Sequence, residues 1–123
     1  MHNLVLAIAF APYAFFAVKD GMLHVGKRKA RAVTLPEHLV HVVIIVPLAW
    51  LVGGVFTRNI DIAALGLATF LAPALADELV WHRKLPDVET NAHAKGHLAL
   101  LAFLAVAALV WLDEAGVAHV LPW

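Results

Sequence analysis

Long apolar stretches alternate with short polar clusters along this chain. Uncharged runs extend from Leu4 to Val18, from Leu39 to Thr57 with only His41 interrupting, from Ile62 to Ala76 and from Leu98 to Leu112. Each is near the lower limit for crossing about 30 Å of hydrocarbon, and each reaches roughly 20 residues once its polar ends are counted. The pattern predicts an all-α, integral membrane four-helix bundle forming a single domain, with spans over about 3–24, 35–57, 60–82 and 88–112. The first segment lacks a basic start and runs through Phe15 and Phe16 into Lys19 without a small-residue cleavage site. It therefore reads as a span and not as a cleaved signal peptide.

Local chemistry marks the boundaries. Thr34-Leu35-Pro36-Glu37 combines a hydroxyl cap, a first-turn proline and a glutamate three residues after the threonine, a capping-box pattern that opens the second helix. Asn59 is a cap for the third helix, and Pro86-Asp87 opens the fourth. Pro12, Pro47 and Pro73 fall inside the first three spans, where each removes a backbone donor and predicts a kink. Trp50, Trp81, Trp111 and Trp123 stand mostly near predicted ends, where indoles favour the interface.

Composition agrees with this picture: 63% of 123 residues are apolar and 15% are charged, too greasy for an ordinary soluble domain. There is no cysteine, which excludes disulfides, thiolate metal sites and cysteine nucleophiles. A formal net charge of zero gives no electrostatic basis for nucleic-acid binding, so membrane lipid is the expected surrounding partner. Charge distribution is more informative. Lys19, Lys27, Arg28, Lys29 and Arg31 follow the first span and Arg83, Lys84 and Lys95 lie between the third and fourth, whereas the opposite side carries only Arg58. By the positive-inside rule both basic loops are cytoplasmic and both termini face outward, as in a bacterial-type inner membrane.

The candidate chemistry lies at the basic side. Four of eight histidines have a carboxylate four residues before them: Asp20 with His24, Glu37 with His41, Glu78 with His82, and Glu89 with His93. Independent placement of nine acids in 123 positions gives less than one such pair. Residues four apart share a helix face, so each pair can offer an oxygen and a nitrogen to one ion. The pairs end the first and third helices and begin the second and fourth, which gathers all of them at one level of the bundle. His97 continues the face of Glu89 and His93 as a further ligand or a donor behind one. Asp77 points elsewhere on its helix and either pairs with Arg83 or replaces Glu78, while His38 lies about 100° around from Glu37. Tyr13 and Thr69, deep in their spans, suit packing or bonds between helices, and His2 and His119 belong to the outer side.

Each pair also has an ordinary explanation. Glu37 completes a capping box, Glu89 sits in a first turn where the helix dipole favours an acid, and His24 and His82 sit in last turns where it favours a cation. One pair per helix is what these explanations leave open. The order of acid-x-x-x-His, basic loop and Glu-x-x-x-His, occurring twice, reads as an internal duplication of a helical hairpin about an axis along the membrane normal.

The layout resembles that of ferritin-like di-iron carboxylate bundles, in which four helices direct carboxylates and histidines inward. Those proteins use Glu-x-x-His on two helices, while three residues separate acid and histidine here on all four, and the His-x-x-His-His boxes of membrane desaturases are missing. Imidazole and carboxylate without sulfur suit iron, manganese or zinc. The expectation is two metal ions, iron favoured, held by Asp20, His24, Glu37, His41, Glu78, His82, Glu89, His93 and His97, in an oxidoreductase acting on a lipophilic substrate. A zinc-dependent lipid hydrolase or transferase uses the same ligands. A non-enzymatic metal-binding, transport or complex subunit is the third reading, and a bis-histidine haem protein a fourth. Apolar faces all round leave open whether the bundle works alone or as a homodimer.

Overall fold

A computed structural model describes residues 1–24, 34–80 and 87–117, with side chains at all of these positions except 24 and 87–89. Four helices account for nearly all of it: α1 His2–His24, α2 Leu35–Thr57, α3 Ile60–Val80 and α4 Asp87–Glu114. At about 1.5 Å per residue each is long enough to cross the hydrocarbon core. All four are also apolar enough to do so. The chain is an integral membrane helical protein, and large side chains such as Ile8, Phe15, Val42, Ile45, Leu71 and Leu101 are exposed outward, where lipid is their solvent.

The helix ends follow the predicted chemistry. Thr34 Oγ1 accepts from the Glu37 backbone N–H while the Thr34 N–H donates back to the Glu37 carboxylate, both at 3.4 Å, which closes the capping box. Asn59 Oδ1 accepts from the Ile62 N–H at 3.0 Å and caps α3. Helix α4 ends two residues later than predicted. Gly116, at φ 69°, lets the Gly116 and Val117 N–H groups turn back to the carbonyls of Asp113 and Leu112. The same paired closure ends α2, where Arg58 occupies the left-handed position at φ 59° and the Arg58 and Asn59 N–H groups reach Val55 and Gly54.

The helices pack as two close antiparallel pairs, α2 with α3 and α1 with α4. In the first pair small residues let the backbones touch: a Cβ on Gly54 would collide with the backbone of Ala63, and one on Gly66 with the backbone of Leu51. Between lipid-surrounded helices such contact is the main source of adhesion, because lipid tails compete equally for apolar side chains.

The hydrophobic core occupies one half of the bundle. Phe103, fully buried, meets Phe10 at 5.2 Å edge-on and Phe56 at 6.2 Å stacked, with Leu6, Leu51, Val55 and Val110 around them. At this end Arg58 bridges the pairs through bonds to Glu114 on α4 and Asn3 on α1. His2 adds a 2.7 Å bond to Glu114. The other half, where the α1–α2 and α3–α4 connections depart, is hollow, with apolar walls and polar side chains toward the helix ends.

Candidate metal centre

A cavity of about 300 Å³ lies among all four helices in that half. Its lining changes character with position along the helices. Toward the helix middles stand Tyr13, Phe16, Ile44, Phe70 and Leu100; toward the helix ends stand Asp20, His38, His41, Asp77, His93 and His97. Small residues at Ala74, Ala92 and Gly96 keep the walls thin.

Three carboxylate–histidine contacts here join different helices. His41 Nε2 on α2 donates to Asp77 Oδ2 on α3 at 3.2 Å, with the Asp77 side chain 5% exposed. A carboxylate only accepts, so the proton of this bond belongs to the imidazole. His93 on α4 faces acids from two helices: its Nε2 is 3.0 Å from Glu78 Oε2 on α3, and its Nδ1 is 3.6 Å from Asp20 Oδ2 on α1. His97 lies one turn further on, its ring 4.3 Å from that of His93 and edge-on to it.

One group, with Glu78 and His97 exposed and His93 half-buried, could hold a cation. Glu78, His93 and His97 each present a ligand atom, all within 4.8 Å of one another. The Glu78–His93 separation of 3.0 Å is a hydrogen bond in which Nε2 donates to the carboxylate, so a bound ion would take the place of that proton. Asp20 at the opposite nitrogen of His93 is placed to hold the ring in orientation, the usual partner behind a ligating histidine.

The expected ligands are thus distributed unevenly. Asp20, His41, His93 and His97 line the cavity, and Glu78, although 48% exposed, reaches His93 from the rim. Glu37 is fully buried and engages Thr34. His82 and the side chains of His24 and Glu89 lie outside the described residues, as does His119. Asp77 proves to be the α3 carboxylate aimed inward. A sequence signal for this existed: Ala63, Gly66, Phe70 and Ala74 mark the face of α3 turned toward the bundle, and Asp77 continues it. Thr69 is exposed and bonds the Leu65 carbonyl of its own helix at 2.7 Å, so it makes no bond between helices. In comparisons with known proteins, no family model, no curated protein and no solved structure matches this chain.

Proposed function

We propose that this is a membrane metalloprotein that binds an iron ion through Glu78, His93 and His97 and acts as an oxidoreductase on a lipophilic substrate admitted to the adjoining cavity. The observation that carries the reading is the convergence of these three donors within 4.8 Å beside an apolar chamber. Two imidazoles and one carboxylate leave coordination positions open, the donor set of non-haem iron oxygenases. Iron held there would supply dioxygen activation, while Asp20 steadies His93 and the apolar walls exclude water. A second ion would need ligands from Asp20, His24, Glu37, His41, His82 and Glu89, and metal stoichiometry decides between one ion and two.

The same donors suit a hydrolytic zinc site. Oxygen consumption by the iron-loaded protein with a lipid extract separates the two, since a zinc enzyme undergoes no redox change. For orientation, the cavity end belongs to the cytoplasmic face by the positive-inside rule. In support, among the described residues the one Lys or Arg at the opposite end, Arg58, is engaged by Glu114. The pairing of α1 with α4 and α2 with α3 is the one that a two-fold relating the halves would exchange, which supports internal duplication.

The test is elemental analysis of protein purified without chelators, with His93→Ala and His97→Ala alongside. One iron per chain in the parent and little in either variant is expected. A metal-free parent that also fails to take up added ferrous iron overturns the reading.

A further inference from the structure

The lining of the cavity repeats itself along the chain. One constant offset carries Ala17 and Asp20 of α1 onto Ala74 and Asp77 of α3. Another carries His41 and Ile45 of α2 onto His93 and His97 of α4, and all of these residues line the cavity. Contacts repeat as well: Asp20 reaches His93 within the α1–α4 pair, and Asp77 reaches His41 within the α2–α3 pair. At two positions the halves differ in chemistry. Glu78 and His97, which present donors beside His93, correspond by the same offsets to Gly21 and Ile45, which offer no ligand atom. Gly21 has nothing within 4 Å of its missing Cβ.

This apolar counterpart is where the cavity meets lipid. Ala17, Gly21 and Ile45 line the cavity and are also exposed. Ala17 and Ile45 lie within the uncharged stretches that cross the hydrocarbon, so the solvent they are exposed to is lipid tails. The close contacts of α1 and α2 are with α4 and α3, which leaves no close pairing between α1 and α2 among the described residues. Phe16, Ile44, Phe70 and Leu100 continue the apolar lining inward from the lipid-facing surface. Apart from Tyr13, the polar side chains of the lining stand toward the helix ends, so polarity falls with depth as it does along a lipid. A volume of about 300 Å³ is at the small end of ligand pockets, room for one chain and not for the two of a phospholipid. At the polar level Asp20, Asp77 and Glu78 oppose an anionic head, and each already has a histidine partner that a cationic head would have to displace. We propose that the cavity takes in the single alkyl chain of a membrane lipid with an uncharged head, the tail entering past Ala17 and Ile45 and the head staying at the level of Asp20 and His41. This names the substrate class of the oxidoreductase proposed above, and any reaction of that lipid rests on that reading. Seating of the chain needs only the cavity.

The experiment photolabels the full chain in phosphatidylcholine nanodiscs with hexadecanol carrying a diazirine at the far end of its chain, maps the labelled residues by mass spectrometry and measures metal content on the same samples. Adjacent residues supply the internal control, since Phe70 and Leu100 line the cavity whereas Leu71 and Leu101 face outward. Labelling of Phe70 and Leu100 should saturate and be competed by unlabelled hexadecanol, while labelling of Leu71 and Leu101 should rise with probe content and resist competition. Ala17→Trp and Ile45→Trp add bulk at exposed positions, and each should abolish labelling of Phe70 and Leu100 while leaving Leu71 and Leu101 labelled. The two variants, on different helices, keep the test decisive if one of them misfolds. Unsaturable labelling of Phe70 and Leu100, or labelling unchanged in a folded variant, overturns the proposal. Iron in the protein without saturable labelling sinks this proposal alone. Saturable, competed labelling in protein that takes up no iron upholds the chain site and removes the metal reading.

Discussion

Arg58 grips Glu114 with two bonds, Nε to Oε2 at 2.7 Å and Nη2 to Oε1 at 2.9 Å, and does so from a left-handed backbone position. The bidentate pair joins the α2–α3 turn to the end of α4, across the boundary between the two close helix pairs. A left-handed conformation costs a side-chain-bearing residue about 1 to 2 kcal/mol, and glycine avoids that cost. Arg58→Ala should therefore lose the charged bonds while keeping the strain, a loss of about 1 to 2 kcal/mol given partial exposure. Arg58→Gly should lose the same bonds and recover about 1 kcal/mol of strain. Unfolding titrations in mixed micelles check the order: parent most stable, then Arg58→Gly, then Arg58→Ala. Equal stability of the two variants would show that the turn carries no strain.

Neighbouring glycines on α2 should respond in opposite ways. Gly54 faces the Ala63 backbone with no room for a methyl group, whereas Gly53 has nothing within 4 Å of its missing Cβ. Gly54→Ala should force α2 and α3 apart and cost about 1 to 3 kcal/mol, the usual range for overpacking. Gly53→Ala should be neutral or stabilising by up to about 1 kcal/mol through helix propensity. Thermal aggregation midpoints of the two purified variants distinguish them.

These contacts also explain which parts of the molecule could be read from the chain. Helix number and the starts of α2 and α3 were legible because they depend on local chemistry: Thr34 and Asn59 act within a few residues of themselves. The partners of the histidines were not. Spacing along one helix pairs Glu37 with His41, yet His41 reaches Asp77 on the next helix. Choosing Asp77 over Glu78 requires the rotation of α3, a difference of about 100° between adjacent residues. Helices that are apolar all round give no polar face from which to take it. Only the stripe of small residues through Ala63, Gly66 and Ala74 encodes that rotation, and it does so by close backbone approach instead of polarity. The outer ion pair was hidden for a related reason: Arg58 and Glu114 are 56 positions apart, and nothing local links them.

Sidedness can be tested directly because the chain has no cysteine. Lys95→Cys places a single thiol at the cavity end, and Val117→Cys places one beyond α4 at the opposite end, both at exposed positions. If the basic connections are cytoplasmic, a membrane-impermeant maleimide added to intact cells should label the thiol at 117 and spare the one at 95. After permeabilisation both should react. The reverse pattern would invert the orientation and put the cavity on the outer face.

Asp20 should matter to the ion without touching it. Its Oδ2 lies 3.6 Å from His93 Nδ1, while His93 Nε2 faces Glu78. In the ion-free structure His93 Nε2 donates to Glu78 at 3.0 Å; with an ion in place of that proton, a proton on Nδ1 would be held toward Asp20, which would leave Nε2 to the ion and keep the ring from turning. Partners of this kind typically contribute 10- to 100-fold to metal affinity when removed. Asp20→Asn, which preserves shape but not charge, should weaken iron binding within about that range while the metal-free protein keeps its unfolding midpoint. Asp20→Glu should restore part of the affinity, because a carboxylate is again available to the same nitrogen. Competition titrations against a chelator of known affinity give the numbers. A fall in the metal-free unfolding midpoint with unaltered iron affinity would assign Asp20 to holding α1 against α4 instead, and the orientation of His93 would then have to come from its contact with His97.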